Sequence, residues 1–237
     1  MKGLTILRRA AIAAVVALAL VVATDRVDGD GTATAATQQE HDGGHGHGQG
    51  GQHGRQGAAA VELGKGMRAL WSDHMQWTYA TVDAFFHNAD ALPPTLDRLL
   101  ANQADIGAAI APFYGQEAGD QLTELLTTHI TLAVPVLQAA QAGDDAALQG
   151  ALDDWYSNAQ DVADLLAAAN PHSWPQSATR PALEMHIDQT TAYAVDLLQG
   201  AYAPAIEHYD AALDHMLELA DILAGGIVEQ FPERFRS

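Results

Sequence analysis

The chain has 237 residues, a formal net charge of −19 and no cysteine. The lack of cysteine excludes disulfides, thiol proteases, redox dithiols and thiolate zinc sites, so any metal must be bound by histidine, carboxylate, methionine or backbone oxygen. The strong negative charge opposes binding to nucleic acids and to anionic membrane surfaces.

Residues 1–35 have the pattern of an export signal. Basic residues that include Arg8 and Arg9 precede an uninterrupted apolar run from Ala10 to Ala23, and small residues follow. A bilayer-spanning helix needs about 20 apolar residues, so this shorter run predicts a cleaved signal and no stable membrane span afterwards. An uncleaved anchor is the alternative. We therefore expect an exported protein that is extracellular or associated with the cell envelope.

Residues 36–57 are rich in Gly, Gln and His and contain almost nothing apolar, which predicts a disordered tether. Its cluster of imidazoles and carboxylates consists of Glu40, His41, Asp42, His45, His47 and His53. Such a cluster could bind zinc, nickel, cobalt or copper loosely. The alternative is a polar linker in which histidine happens to recur.

From residue 58 to 237 the sequence changes to helical periodicity interrupted by Pro and Gly, which predicts one all-α domain. We expect six helices and no sheet, with helices over about residues 61–88, 95–111, 117–142, 144–169, 179–200 and 204–231. Short connections between successive helices favour antiparallel neighbours. The predicted fold is therefore an up-and-down helical bundle of about six helices, four of them long.

Three histidines interrupt the apolar stripes of three different predicted helices, at positions where Leu or Ala is usual. They are His74, His129 and His186. Because the midpoints of antiparallel helices lie at similar heights, these imidazoles are expected to meet in one buried polar layer. His186 is the weakest member of the set, since it lies near the start of its predicted helix.

Buried imidazoles must be paired, because an unsatisfied one costs on the order of 1–3 kcal/mol. One solution is a transition metal, namely zinc, copper, nickel or manganese, bound by all three; no organic cofactor is indicated. The further candidate ligands are Asp105, Asp221 and His215. Oxygens that could hold the opposite ring N–H groups belong to Thr78, Thr128 and Thr190. The other solution is a metal-free network in which each imidazole bonds to a hydroxyl, an amide or water.

Common enzyme motifs are missing from the sequence, including the Gly-x-Ser-x-Gly elbow, the phosphate loop, the dinucleotide fingerprint and the Glu-x-x-His pair of di-iron bundles. An enzyme with His74 or His129 as general base is a third possibility. The predicted function is an exported protein that binds a transition metal through core histidines and captures it with the His-rich tether. The alternative is a metal-free structural or interaction module of the cell envelope.

Several motifs resemble those of a family of uncharacterised helical bacterial proteins of the cell envelope. The motifs are Trp-x-x-His-x-x-Trp-Thr at 71–78, Leu-Leu-x-Asn-x-x-Asp at 99–105, Pro-Phe-Tyr-Gly at 112–115, Trp-Tyr-x-Asn-Ala at 155–159 and Gly-Ile-x-x-Gln-Phe-Pro-x-x-Phe at 226–235. Some members are labelled acetylglutamate kinase, a name that an all-helical chain without a Gly-rich loop does not support. The resemblance implies that these residues act together, and it implies no particular chemistry. The chain has Thr128 where the family often has Glu.

Overall fold

The computed structural model describes the backbone of residues 50–236 and the side chains of residues 57–236. The predicted signal and the predicted tether up to residue 49 lie outside the described residues. Within this range there are six helices and no strand, so the all-α prediction is confirmed. The helices are α1 (Gly50–His87), α2 (Leu92–Tyr114), α3 (Gln116–Ala142), α4 (Asp145–Ala169), α5 (Gln176–Gln199) and α6 (Tyr202–Gln230), followed by a 3₁₀ turn at Pro232–Phe235.

The helix starts differ most from the predictions. α1 begins at Gly50, so residues 50–57 are helical although their composition predicts a tether. α2 begins at Leu92 and carries Pro93 and Pro94 in its first turn, where a missing N–H costs no helical hydrogen bond. Helix lengths run from 23 residues in α2 to 38 in α1, so length does not separate four long helices from shorter ones.

The helices form a closed up-and-down bundle. Each helix packs against the next one in the chain, and α1 also packs against α6. Gly115 alone joins α2 to α3, and its φ of 91° lies in a region that glycine adopts without strain. None of the six helices combines the length and the apolar character that crossing a bilayer requires.

α5 is the most enclosed helix. Its residues 190–197 are buried without interruption, and it contacts α1, α3, α4 and α6. A helical segment that is buried on all sides lies inside a protein and not on its surface. α5 therefore brings its own polar side chains into the middle of the bundle.

Aromatic side chains close the end of the bundle where α2 and α6 finish. The ring of Phe113 stacks on Phe235 with centroids 5.9 Å apart, and the ring of Tyr114 meets Phe231 edge to face at 5.3 Å. The Tyr114 hydroxyl also donates to the Gln230 amide oxygen at 2.7 Å. This end is held by apolar burial and by hydrogen bonds at its edge.

The backbones of α2 and α3 touch where two glycines face each other. A Cβ added to Gly107 would lie 2.4 Å from the carbonyl oxygen of Gly119 and 2.0 Å from Thr123 Oγ1. Real carbon atoms do not approach so closely, so any larger residue must push the two helices apart. Gly107 and Gly119 therefore allow the backbones of α2 and α3 to pack in direct contact.

We predict that Gly107→Ala destabilises the fold by about 1–3 kcal/mol through overpacking. The matched control is Gly150→Ala in α4, where an added Cβ meets nothing within 4 Å. In an open helical position that exchange stabilises by up to about 1 kcal/mol. Urea denaturation of both variants measures the two free energies of unfolding. Equal stabilisation by both substitutions would contradict the close contact.

Candidate functional site

Three imidazoles from three helices meet in the interior. His74 of α1, His129 of α3 and His186 of α5 are 1%, 5% and 3% exposed. The ring centroids of His74 and His186 lie 5.5 Å apart, and those of His129 and His186 lie 5.8 Å apart. His186 therefore pairs with both other rings. We call these three residues the histidine cluster; their role as metal ligands stays a prediction.

Helix boundaries explain why the rings of His129 and His186 lie at one height. His129 is the central residue of α3, and His186 lies within two residues of the centre of α5 because that helix begins at Gln176. If α5 began at Thr179, as the sequence predicts, His186 would lie nearer the N-terminal end of the helix. The extra turn before Thr179 shifts the centre of α5 towards His186, which the sequence analysis had treated as the weakest member of the set.

Asn158 of α4 fixes the protonation pattern of His129. The Asn158 amide nitrogen donates to the Leu125 carbonyl at 3.1 Å, so its amide oxygen is the atom that faces His129 Nδ1 at 2.9 Å. Because an amide oxygen only accepts, Nδ1 must carry the hydrogen and Nε2 the lone pair. That Nε2 is buried and has no hydrogen-bond partner among the described residues.

The other two imidazoles have fewer partners. Nδ1 of His74 and Nδ1 of His186 are both buried without a hydrogen-bond partner within residues 57–236. Gln103 lies beside His74, and its amide nitrogen donates to the Leu99 carbonyl at 2.7 Å. The cluster therefore holds more polar atoms than the surrounding side chains satisfy, which is uncommon in a core.

All three imidazoles are neutral at physiological pH. Burial and, to a smaller extent, the nearby His129 lower the pKa of His74 to about 3, although the Gln103 side chain partly offsets both effects. Burial lowers the pKa of His129 to about 4 despite its bond to Asn158. Burial also holds the pKa of His186 well below its usual range, and its histidine neighbours add to that shift. Neutral imidazoles offer nitrogen lone pairs to a ligand.

The histidine cluster borders a cavity of about 240 Å³. Its walls come mainly from α1, α2 and α3, and no Asp, Glu, Lys or Arg is among the residues that line it in the described part of the chain. Its apolar wall is formed by Val82, Phe85, Leu92, Leu96, Leu99, Ile130, Ala133, Val134, Leu137 and Trp155. Two threonines with buried hydroxyls, Thr81 and Thr190, also line it.

The remaining predicted ligands lie away from the cavity lining. Asp105 pairs with Arg98 at 3.8 Å, Asp221 pairs with Arg68, and both carboxylate side chains are more than half exposed. His215 Nε2 donates to the Ala182 carbonyl at 2.8 Å and is half-buried. The structure therefore does not bring the two carboxylates to the histidine cluster.

Of the three threonine hydroxyls that were expected to hold the opposite ring N–H groups, only one is placed to do so. Thr190 lines the cavity with a buried hydroxyl, whereas Thr128 is exposed. The Thr78 hydroxyl donates to the His74 backbone carbonyl at 2.7 Å, so its hydrogen is not available to the imidazole. The sequence analysis missed Asn158, which pairs with His129, and Gln103, which lies beside His74. The available signal was a polar amide beside the apolar stripe, three residues after Trp155 in the case of Asn158.

The rings as they stand do not form a finished metal site. Within residues 57–236 no group of three or more His, Asp or Glu side chains is arranged to hold a metal ion. The imidazoles would have to rotate about their side-chain bonds before their nitrogens could point at one atom.

No protein-family model, curated protein or solved structure matches the chain. The chemistry of the histidine cluster and its cavity is therefore what points to a function.

We predict that the protein loses stability on acidification because of these buried imidazoles. In the unfolded chain a histidine has a pKa near 6.5. Below that pH the histidines of the unfolded chain become protonated. In the folded protein His129 becomes protonated only near pH 4 and His74 only near pH 3. Stability is therefore complete above about pH 6.5 and falls as the pH decreases, by up to about 1.4 kcal/mol per pH unit for each imidazole.

The test compares His74→Gln with His172→Gln, which changes a side chain that is 85% exposed. Urea denaturation with a chelator present gives the free energy of unfolding between about pH 6 and pH 4.5. His74→Gln should make the pH dependence shallower by about one proton, and His172→Gln should leave it unchanged. A wild-type protein with flat stability over this range would show that the imidazoles are not buried and neutral.

Proposed function

We propose that this protein is exported and binds a transition metal ion in the bundle interior through His74, His129 and His186. The observation that carries the proposal is the hydrogen bond between Asn158 and His129. Metal-binding histidines typically donate one ring N–H to an oxygen, which leaves the lone pair of the other nitrogen free for the metal. His129 has this arrangement, and its Nε2 has no other partner among the described residues.

The spacing of the rings supports the proposal. A tetrahedral ion about 2.1 Å from each nitrogen holds two imidazole centroids about 5 Å apart. The observed separations of 5.5 and 5.8 Å are larger by less than about 1 Å. These two ring pairs therefore need only small movements to reach that spacing, and the cavity beside the rings leaves room for them.

The ligand types favour some ions over others. Imidazole suits zinc, copper and nickel, whereas manganese prefers carboxylate and water oxygens. Asp105 and Asp221 form ion pairs with arginines at the surface and supply no carboxylate oxygen to the cluster. Manganese therefore fits the cluster least well. With three protein ligands, one coordination position remains for a ligand from solution. The His-rich segment around His41 to His53 would serve as a loading or buffering arm.

A second candidate function has an observation in its favour. As they stand, the described His, Asp and Glu residues form no group suited to a metal ion. The cluster would then be a metal-free hydrogen-bond network inside a structural or interaction module of the cell envelope. This alternative predicts that chelation leaves the melting temperature unchanged, whereas bound metal stabilises the folded state by mass action.

We expect about one equivalent of a single metal per chain, measured by elemental mass spectrometry. To remove binding by the tether, the starting protein is the full chain with Gln at the four histidines of that segment, His41, His45, His47 and His53. In that background His129→Gln should abolish the bound metal. Asp105→Asn and Asp221→Asn should retain it, because both carboxylates lie at the surface.

The matched control is His172→Gln, an exposed imidazole outside the cluster. Equal metal content in His129→Gln and His172→Gln would rule out the cluster as the binding site. A metal-free protein whose melting temperature does not respond to added zinc, copper or nickel would favour the hydrogen-bond network.

A further inference from the structure

The cavity beside the histidine cluster is large enough for an organic molecule. An apolar cavity of about 150 Å³ in another protein admits benzene. The volume here is about 240 Å³, so a ligand of roughly ten non-hydrogen atoms fits. Protein interiors are otherwise packed as densely as organic crystals, and the side chains around a void lose the contacts that a ligand would restore.

The lining excludes charged ligands. The cavity wall is formed by aliphatic and aromatic side chains such as Val82, Phe85 and Leu99, and no ionised side chain lines it among the described residues. A buried charge without a partner is strongly unfavourable. The body of a ligand must therefore be apolar and uncharged.

The polar atoms around the cavity define the ligand's polar group. His129 gives its Nδ1 hydrogen to Asn158, so its unpartnered Nε2 can only accept a hydrogen bond. A ligand that satisfies this atom must donate. The hydroxyls of Thr81 and Thr190, which also have no partner within residues 57–236, can donate to a ligand oxygen in return. A hydroxyl group both donates and accepts, whereas an ether or a ketone only accepts.

We propose that the cavity binds a small uncharged molecule with an apolar body and one hydroxyl group, of the phenol or fatty-alcohol class, whose hydroxyl hydrogen-bonds to the histidine cluster. The ligand site uses the same imidazoles as the proposed metal site but does not depend on a metal. It is accordingly tested on metal-free protein.

The experiment titrates the chelated full-length protein with 4-propylphenol and with propylbenzene by calorimetry. The two probes differ only in the hydroxyl. We expect saturable binding of one 4-propylphenol per chain, about tenfold tighter than propylbenzene, because the hydroxyl pairs a buried acceptor. The absence of saturable 4-propylphenol binding, or equal affinity for both probes, would overturn the proposal.

Ala133→Leu locates the bound probe, because Ala133 lines the cavity while its substitution leaves all three imidazoles in place. The control Ala108→Leu makes the same exchange at an exposed position of α2. 4-Propylphenol binding should be lost in the first variant and kept in the second; binding that persists in a folded Ala133→Leu protein contradicts the site. Metal content measured on the same variants is scored separately, so either proposal can fail alone.

If Ala133→Leu does not fold, nitrogen NMR of the imidazoles in the wild-type protein decides the question. 4-Propylphenol should shift the His129 Nε2 resonance, and propylbenzene should shift it much less. The exposed ring of His172 is the internal reference and should not respond. An unmoved His129 resonance at saturation would place the hydroxyl elsewhere and overturn the proposal.

Discussion

The central constraint on this fold is the burial of three imidazoles without a compensating charge. In an interior of low polarity the protonated forms are strongly disfavoured, so the cluster stays neutral and its nitrogen atoms need neutral partners. The amide of Asn158 meets one of these needs by accepting from His129. Other atoms of the cluster remain unmatched among the described residues, and the packing around them leaves a cavity. Stability and ligand chemistry therefore depend on the same atoms.

The fold could be predicted from sequence because its signals are local. Apolar periodicity, Pro and Gly gave six helices, and helix midpoints placed His74 and His129 at similar heights, whereas His186 was expected near the start of its helix. Helix starts were less predictable, since Pro93 and Pro94 can either precede a helix or begin one. The partners of surface charges could not be predicted, because they depend on tertiary packing. Asp105 and Asp221 form ion pairs with arginine side chains at the surface. Asn158 was missed for the same reason: its partner lies on another helix.

The motif residues of the sequence fall into two separate places in the structure. Phe113, Tyr114, Phe231 and Phe235 lie together at the aromatic end of the bundle, where ring packing and the hydrogen bond from Tyr114 account for their contacts. The motifs that contain His74 and Asn158 converge instead on the polar layer. Packing does not explain that layer, because apolar residues of similar size would fill the core without unmatched polar atoms. The polar layer, and not the aromatic end, is therefore the candidate functional site.

A cation, a hydroxyl ligand and a proton would all use the same lone pair on His129. Each satisfies Nε2 in a different way, and only one can occupy it at a time. Binding of a metal ion and binding of a hydroxyl ligand would therefore exclude each other. Each would lower the affinity of the cluster for the other by the same factor. The proton competes least, since burial holds the pKa of His129 at about 4. Between neutral pH and that value the lone pair would remain available to the other two proposed ligands, so the burial that destabilises the fold in acid would also favour their binding.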